Sequence, residues 1–170
     1  MLAEFSVKYT VGVGQMIIAS QQDDVLVTHA LGSCLGITAH DPHSRVGGLL
    51  HAMLPESSIN PEKARSNPYM FVDSGLAEFV KALCSHGASR GRLVLKVAGG
   101  ASIHNSGVVD GGQDRFAIGK RNCIMLRKIL WQAGMLLRGQ DLGGCDPRTM
   151  YLDIGTGRVW LKIAGQEKEL

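Results

Sequence analysis

Several things that would simplify a functional reading are scarce or missing in this chain of 170 residues. No apolar run approaches the roughly 18 residues that a membrane-spanning helix needs, and the N-terminus has neither a basic leader nor a cleavage site. A cytoplasmic protein with no membrane insertion is expected. The four cysteines, Cys34, Cys84, Cys123 and Cys145, are scattered without a CxxC pair, which argues against a disulfide framework and against a zinc site. Cys84 and His86 come closest to a ligand pair, and no metal is expected. Aromatics make up only 5% of residues and do not alternate with basic ones, so the stacking platforms of single-strand nucleic-acid binders are absent. Net charge is a modest +3, again without a case for nucleic acid. Gly12 and Gly14 lack the third glycine of a dinucleotide loop, and Gly119-Lys120 is followed by Arg121 instead of Ser or Thr, so neither nucleotide motif is complete. No G-x-S-x-G elbow is present either. No cofactor is expected.

What is present is a concentrated stretch from Thr28 to Pro55. Two apolar runs, Cys34 to Ala39 and Val46 to Leu54, flank Asp41-Pro42-His43-Ser44, a turn sequence, because proline sets φ and aspartate caps it. A hairpin symmetric about the Pro42–His43 bond places Cys34 opposite His51, Gly36 opposite Leu49 and Thr38 opposite Gly47. Directly opposed residues have Cβ atoms roughly 4.5–5.5 Å apart, close enough for an imidazole to take a thiol proton. Leu31-Gly32-Ser33 predicts a sharp bend, leaving the Cys34 N–H free to serve an oxyanion, with Ser33 and Gly32 beside it. Gly36, Gly47 and Gly48 predict a shallow site open to a protein surface. The bland alternative is a buried structural cysteine and a satisfied strand histidine.

Around this stretch the pattern predicts strands over Ser6–Val13, Met16–Ala19 and Val25–Ala30, and a loop over Glu56–Pro68. A helix follows over Tyr69–His86, with Gly87 as its C-terminal stop. Then come a strand over Arg92–Ala98, a turn at Gly99-Gly100 into Ala101–Val109, and a helix over Phe116–Ala133 that Gly134 ends. Strands over Met135–Asp141, Thr149–Ile154 and Arg158–Ile163 close the chain, with Ala164–Leu170 as a frayed polar tail. One domain over residues 1–170 is expected, of α+β class, with two main helices packed on a largely antiparallel sheet. Arg115, Lys120, Arg121, Arg127 and Lys128 form the one basic concentration, read either as a solvated helix face or as a docking patch for an acidic partner.

Thr28, Leu31, Gly32, Ser33 and Cys34, then Asp41-Pro42, Gly47-Gly48, His51, Met53, Leu54 and Pro55, resemble the CheD family of chemoreceptor glutamine deamidases. The likeness continues through Lys96–Ala101, Ile118–Asn122, Asp141–Gly144 and Thr156–Val159, and so spans nearly the whole chain. Ala98 and Lys120 depart from the family pattern. The resemblance implies a layered α/β/α arrangement and a Cys34, His51, Thr28 triad with Thr28 orienting the imidazole. The activity it implies is deamidation of glutamine side chains on chemoreceptor cytoplasmic helices, with glutamyl methyl esters as a chemically adjacent substrate. A CheC-type phosphatase is the implied regulatory partner, and a non-catalytic module binding that phosphatase is the alternative reading.

Overall fold

The computed structural model describes residues 7–102 and 118–170. The chain alternates early strands with helices: β1 (Val7–Thr10), β2 (Gln15–Ala19), β3 (Asp24–Leu31), β4 (Leu35–Asp41), β5 (Val46–Ala52), α1 (Pro61–Ser66), α2 (Val72–Ser85), β6 (Val94–Gly99), α3 (Ile118–Ala133), β7 (Leu137–Leu142), β8 (Arg148–Asp153), β9 (Val159–Ile163) and β10 (Gln166–Glu169). Among the described residues the strands form two five-stranded sheets. The first runs β1-β3-β8-β9-β10 and the second β2-β5-β4-β6-β7. Pairing is antiparallel except at β1/β3 and β6/β7. The expected α+β class with two main helices and mostly antiparallel strands is therefore what the chain has.

The layering follows from side-chain alternation in the second sheet. On β4 and β5, Leu35, Ile37, Ala39, Val46, Leu50 and Ala52 join Leu76, Phe79 and Leu83 of α2 and Leu126 and Leu130 of α3 in one buried cluster. Gly48 lets α2 come close, since a Cβ there would stand 2.7 Å from the Phe79 ring. The opposite face carries Leu49 and Ala98 into a second cluster with Leu26, Met150, Leu152 and Leu161 of the first sheet. Both long helices thus lie on the same face, and the other face is covered by a sheet where the α/β/α expectation has helices. The strands expected in one sheet divide because β3 pairs with β8, far along the chain, leaving the hairpin to the second sheet.

Both helices end where expected. Gly87 (φ 101°) and Gly134 (φ 63°) take the left-handed conformation. At each end two N–H groups close back on the last turn: Ala88 to Leu83 O and Gly87 to Cys84 O, then Met135 to Leu130 O and Gly134 to Trp131 O. The helix expected from Tyr69 starts later, at Val72, because Pro68–Met70 forms a separate 3-10 turn capped by the Asn67 side chain. The expected frayed tail is instead ordered. Gln166–Glu169 pairs with β9, while Glu169 and Lys168 bond to Arg158 and Asp141. Most of the expected Ala101–Val109 segment lies outside the described residues.

Candidate active site

The β4–β5 hairpin has a four-residue loop, Pro42 to Arg45, closed by the pair Asp41–Val46. Arg45 sits at φ 56° and its N–H reaches Asp41 O at 2.8 Å. Asp41 caps the turn as expected, accepting from the His43 N–H at 2.9 Å. The left-handed residue lengthens the loop and slips the register two residues from the expected one. His51 therefore faces Gly36, not Cys34, and Thr38 faces Leu49. An even slip preserves the face, so Cys34, diagonal to His51 just before β4, still packs against the cluster between the sheets.

His51 is 2% exposed, its backbone paired with Gln15 on one side and Gly36 on the other. Its Nδ1 lies 2.7 Å from Thr28 Oγ1, and Thr28 Oγ1 lies 2.7 Å from Val11 O. A carbonyl only accepts, so the single threonine proton goes to Val11. Thr28 must then accept from His51, which places the neutral ring's proton on Nδ1 and leaves Nε2 with a free lone pair. Among the described residues that Nε2 is buried and has no hydrogen-bond partner. Burial pushes the imidazole down to about 4, so it is neutral at pH 7. A bulge in β3 directly after Thr28, with Ala30 at φ 55°, separates the Thr28–Met150 pair from Leu31–Arg148.

The Gly32–Cys34 bend is held by its carbonyls. Gly32 O accepts from Ala101 N at 2.8 Å, Ser33 O from Asn122 Nδ2 at 2.9 Å and Cys34 O from Gly100 N at 3.0 Å. Gly99 (φ 119°) allows that approach, since any Cβ there would collide with Cys34 O. Cys34 is partly exposed. Burial pushes its thiol up, and its own backbone N–H beside the sulfur pulls it back. Thiol and imidazole are therefore both neutral at rest, an arrangement suited to general-base activation and not to a preformed thiolate.

The glycines expected to open the site do packing instead. A Cβ on Gly36 would meet Leu31 and Met150, one on Gly47 would meet His40 and Ile154, and Gly48 faces α2. Of the basic cluster, Arg115 lies outside the described residues. Lys120, Arg127 and Lys128 are exposed along α3, and Arg121 pairs with Glu56 at 3.5 Å. Two apolar side chains stand among them, Ile124 and Trp131, the latter 83% exposed.

Asn122 closes the Ile118–Asn122 segment of the resemblance, which gave it no role at the site. It is fully buried and donates both amide hydrogens, to Ser33 O and to Met53 O at 3.0 Å. The signal was a lone asparagine on the apolar face of α3, between Gly119 and Leu126.

Among the described residues the two-sheet α+β chain places a partly exposed thiol and a buried, threonine-held imidazole at the same end of one hairpin. The chain belongs to the CheD family: residues 53–163 match the family model described as CheD chemotactic sensory transduction. That match begins just after His51, but curated relatives align over nearly everything. The chain is 48% identical over 160 residues to the probable chemoreceptor glutamine deamidase CheD of Solibacter usitatus, covering 94% of this chain and 91% of that one. Identity is 41% over 155 residues to the probable chemoreceptor glutamine deamidase CheD 1 of Syntrophus aciditrophicus, with 91% and 93% covered. It is 39% over 158 residues to the namesake from Thermococcus kodakarensis, with 93% and 94% covered. A crystal structure of the Bacillus licheniformis hypothetical protein YfiH is similar at TM-score 0.49 and 12% identity, over 84% of this chain and 61% of that one. No helix among the described residues is long and apolar enough to cross a membrane.

Proposed function

We propose that this chain is a cytoplasmic, single-domain, cysteine-dependent amidohydrolase that converts glutamine side chains of chemoreceptors to glutamate. The observation that carries the reading is His51: buried, tied through Nδ1 to Thr28, with Nε2 unpartnered among the described residues on the face where Cys34 lies. The relatives' names supply the substrate class.

In the first half-reaction His51 Nε2 takes the Cys34 proton as sulfur attacks the glutamine Cδ. The carbonyl oxygen becomes an oxyanion facing the N–H groups of the Ser33–Cys34 bend, beside Gly32. The same Nε2–H then passes to the amide nitrogen, ammonia leaves, and a thioester remains. Water, losing a proton to Nε2, attacks the thioester; glutamate leaves and the thiol is restored. Thr28 holds the ring throughout, and its bond strengthens while the imidazolium exists. Glutamyl methyl esters enter the same cycle, with methanol leaving in place of ammonia.

The exposed Trp131 and Ile124, set among Lys120, Arg127 and Lys128, favour a docking role for the outer face of α3, extended by Arg121. A receptor helix or a CheC-type phosphatase is the partner this reading takes. Incubation with a receptor cytoplasmic fragment, followed by mass spectrometry for Gln-to-Glu conversion, tests the activity. Unconverted glutamines with tight binding of the phosphatase would favour the non-catalytic module instead.

A further inference from the structure

The bend that carries the nucleophile offers three consecutive carbonyls, and all three are occupied. Those of Gly32 and Cys34 are held by the main-chain N–H groups of Ala101 and Gly100, which no side-chain replacement removes. The middle one, Ser33 O, is held by the side chain of Asn122. Both Asn122 partners, Ser33 O and Met53 O, are carbonyls, so the atom between them has to be the NH2 group, and the amide orientation is fixed by chemistry. Among the described residues its Oδ1 is buried and without a partner. A polar group held this way, inside an otherwise apolar helix face, is costly unless its two donated bonds are needed.

Their placement indicates the need. Main-chain pairing between β4 and β5 stops at Leu35–Ala52. Beyond that rung the two strands separate, Ser33-Cys34 on one side and Met53 on the other, and Asn122 bridges the gap where the next rung would be. Gly119, one turn earlier in α3, lets the helix approach: a Cβ there would stand 2.6 Å from Ala101 O. The peptide between Ser33 and Cys34 is trans, so its C=O and N–H point in opposite directions in one plane. Pulling Ser33 O toward Asn122 turns the Cys34 N–H away from it, and that N–H lies beside the Cys34 sulfur.

We infer that Asn122 is a positioning residue: by fixing the Ser33–Cys34 peptide plane it aims the Cys34 N–H at the oxyanion that forms next to the sulfur. The inference rests on the proposed deamidase chemistry. It separates two reactions of the same thiol. Deamidation passes through a tetrahedral oxyanion, whereas alkylation by iodoacetamide is a displacement at carbon that forms none.

The test compares the unaltered chain with Asn122→Ala and with the near-isosteric Asn122→Asp, whose oxygens would oppose both carbonyls. Turnover of a receptor cytoplasmic fragment is followed by mass spectrometry, alkylation of Cys34 across a pH series, and folding by circular dichroism. Loss of one oxyanion donor costs about 10²–10³ in kcat, so a tilted donor is expected to cost about 10- to 100-fold, with KM and the alkylation profile within about twofold. Equal loss in both reactions would overturn the inference, because Asn122 would then be holding the thiol itself. Unchanged turnover would overturn it too, as would failure of both variants to fold, since the tie would then serve the fold alone. Full turnover by Cys34→Ala is a different result, which removes the deamidase reading before Asn122 is reached.

Discussion

The β4–β5 hairpin buries a polar side chain at each end, and the two are treated oppositely. At the tip, Asp41 has no exposure and every need met: Arg92 donates from Nε and Nη2, Ser89 and His43 donate their backbone N–H groups. The Arg92 guanidinium holds its carboxyl well below the usual carboxylate range. At the other end His51 is nearly as buried, yet among the described residues one ring nitrogen has no partner, and Asn122 Oδ1 beside that end has none. Buried polar groups in folded proteins are nearly always satisfied. The fully bonded Asp41 is therefore read as structure. Ser44 Oγ at the tip is also buried and unbonded among the described residues, so it is the basicity of the imidazole and the thiol at its end, not the missing bond alone, that mark His51 as chemistry kept available. The contrast makes opposite forecasts for substitutions at the two ends.

The largest effect belongs to Cys34. Cys34→Ala should abolish turnover of the receptor fragment while the circular dichroism spectrum stays that of the unaltered chain, because a small, partly exposed side chain is trimmed. Cys34→Ser should be nearly as inactive, since a neutral imidazole is a poor base for an alcohol. Undiminished turnover by Cys34→Ala would end the assignment of this end as the reactive one.

Next come His51 and Thr28. His51→Gln removes the group proposed to take and return the proton, and should cost about 10³-fold or more in kcat. Thr28→Val keeps the shape but drops the acceptor for Nδ1–H; a loss of roughly 10- to 100-fold is expected, since the ring is also held by packing. A Thr28 variant more impaired than the His51 variant would reverse the roles given to them.

The tip should behave the other way. Asp41→Asn places an amide among donors and leaves Arg92 without its partner, so a loss of about 2 kcal/mol in urea unfolding is expected, with kcat unchanged. The figure is kept low because Arg92 is half exposed. A folded Asp41→Asn chain without activity would break the contrast between the ends.

The residue pattern carried much of this and missed some of it, for identifiable reasons. Hairpin, Gly-Ser bend and both glycine helix stops are local, and local sequence was enough to read them. The strand register was not, because it depended on Arg45 entering a left-handed conformation that non-glycine residues rarely take. Division into two sheets turned on pairings such as Val25–Asp153, whose partners are far apart in the chain. The polar Gln166–Glu169 strand has no apolar alternation and exists because β9 offers it an edge. Asn122 reaches Ser33 across a long separation, and a helix residue shows its partner only when the helix has been docked.

The smallest forecast concerns pH, and it separates the ends by window. His51 in the folded chain is pushed down to about 4 from an ordinary value of 6.5, so between those values the unfolded chain binds a proton that the folded chain refuses. Stability is therefore full above about pH 6.5 and falls as pH drops through the window, with a loss of about 1 kcal/mol at pH 5.5. Asp41 has the lowered carboxyl, so its contribution holds at that pH and is lost only further into acid, through and below the usual carboxylate range. Urea unfolding at pH 7.5 and 5.5 should thus show a decline in the unaltered chain that His51→Gln abolishes and Asp41→Asn leaves in place. The acid limb of kcat/KM should likewise fall near 4 and not near 6.5. An acid limb at 6.5, with no His51-dependent loss of stability at pH 5.5, would mean that the imidazole is solvated in the folded chain, and the two ends of the hairpin would no longer differ in the way proposed.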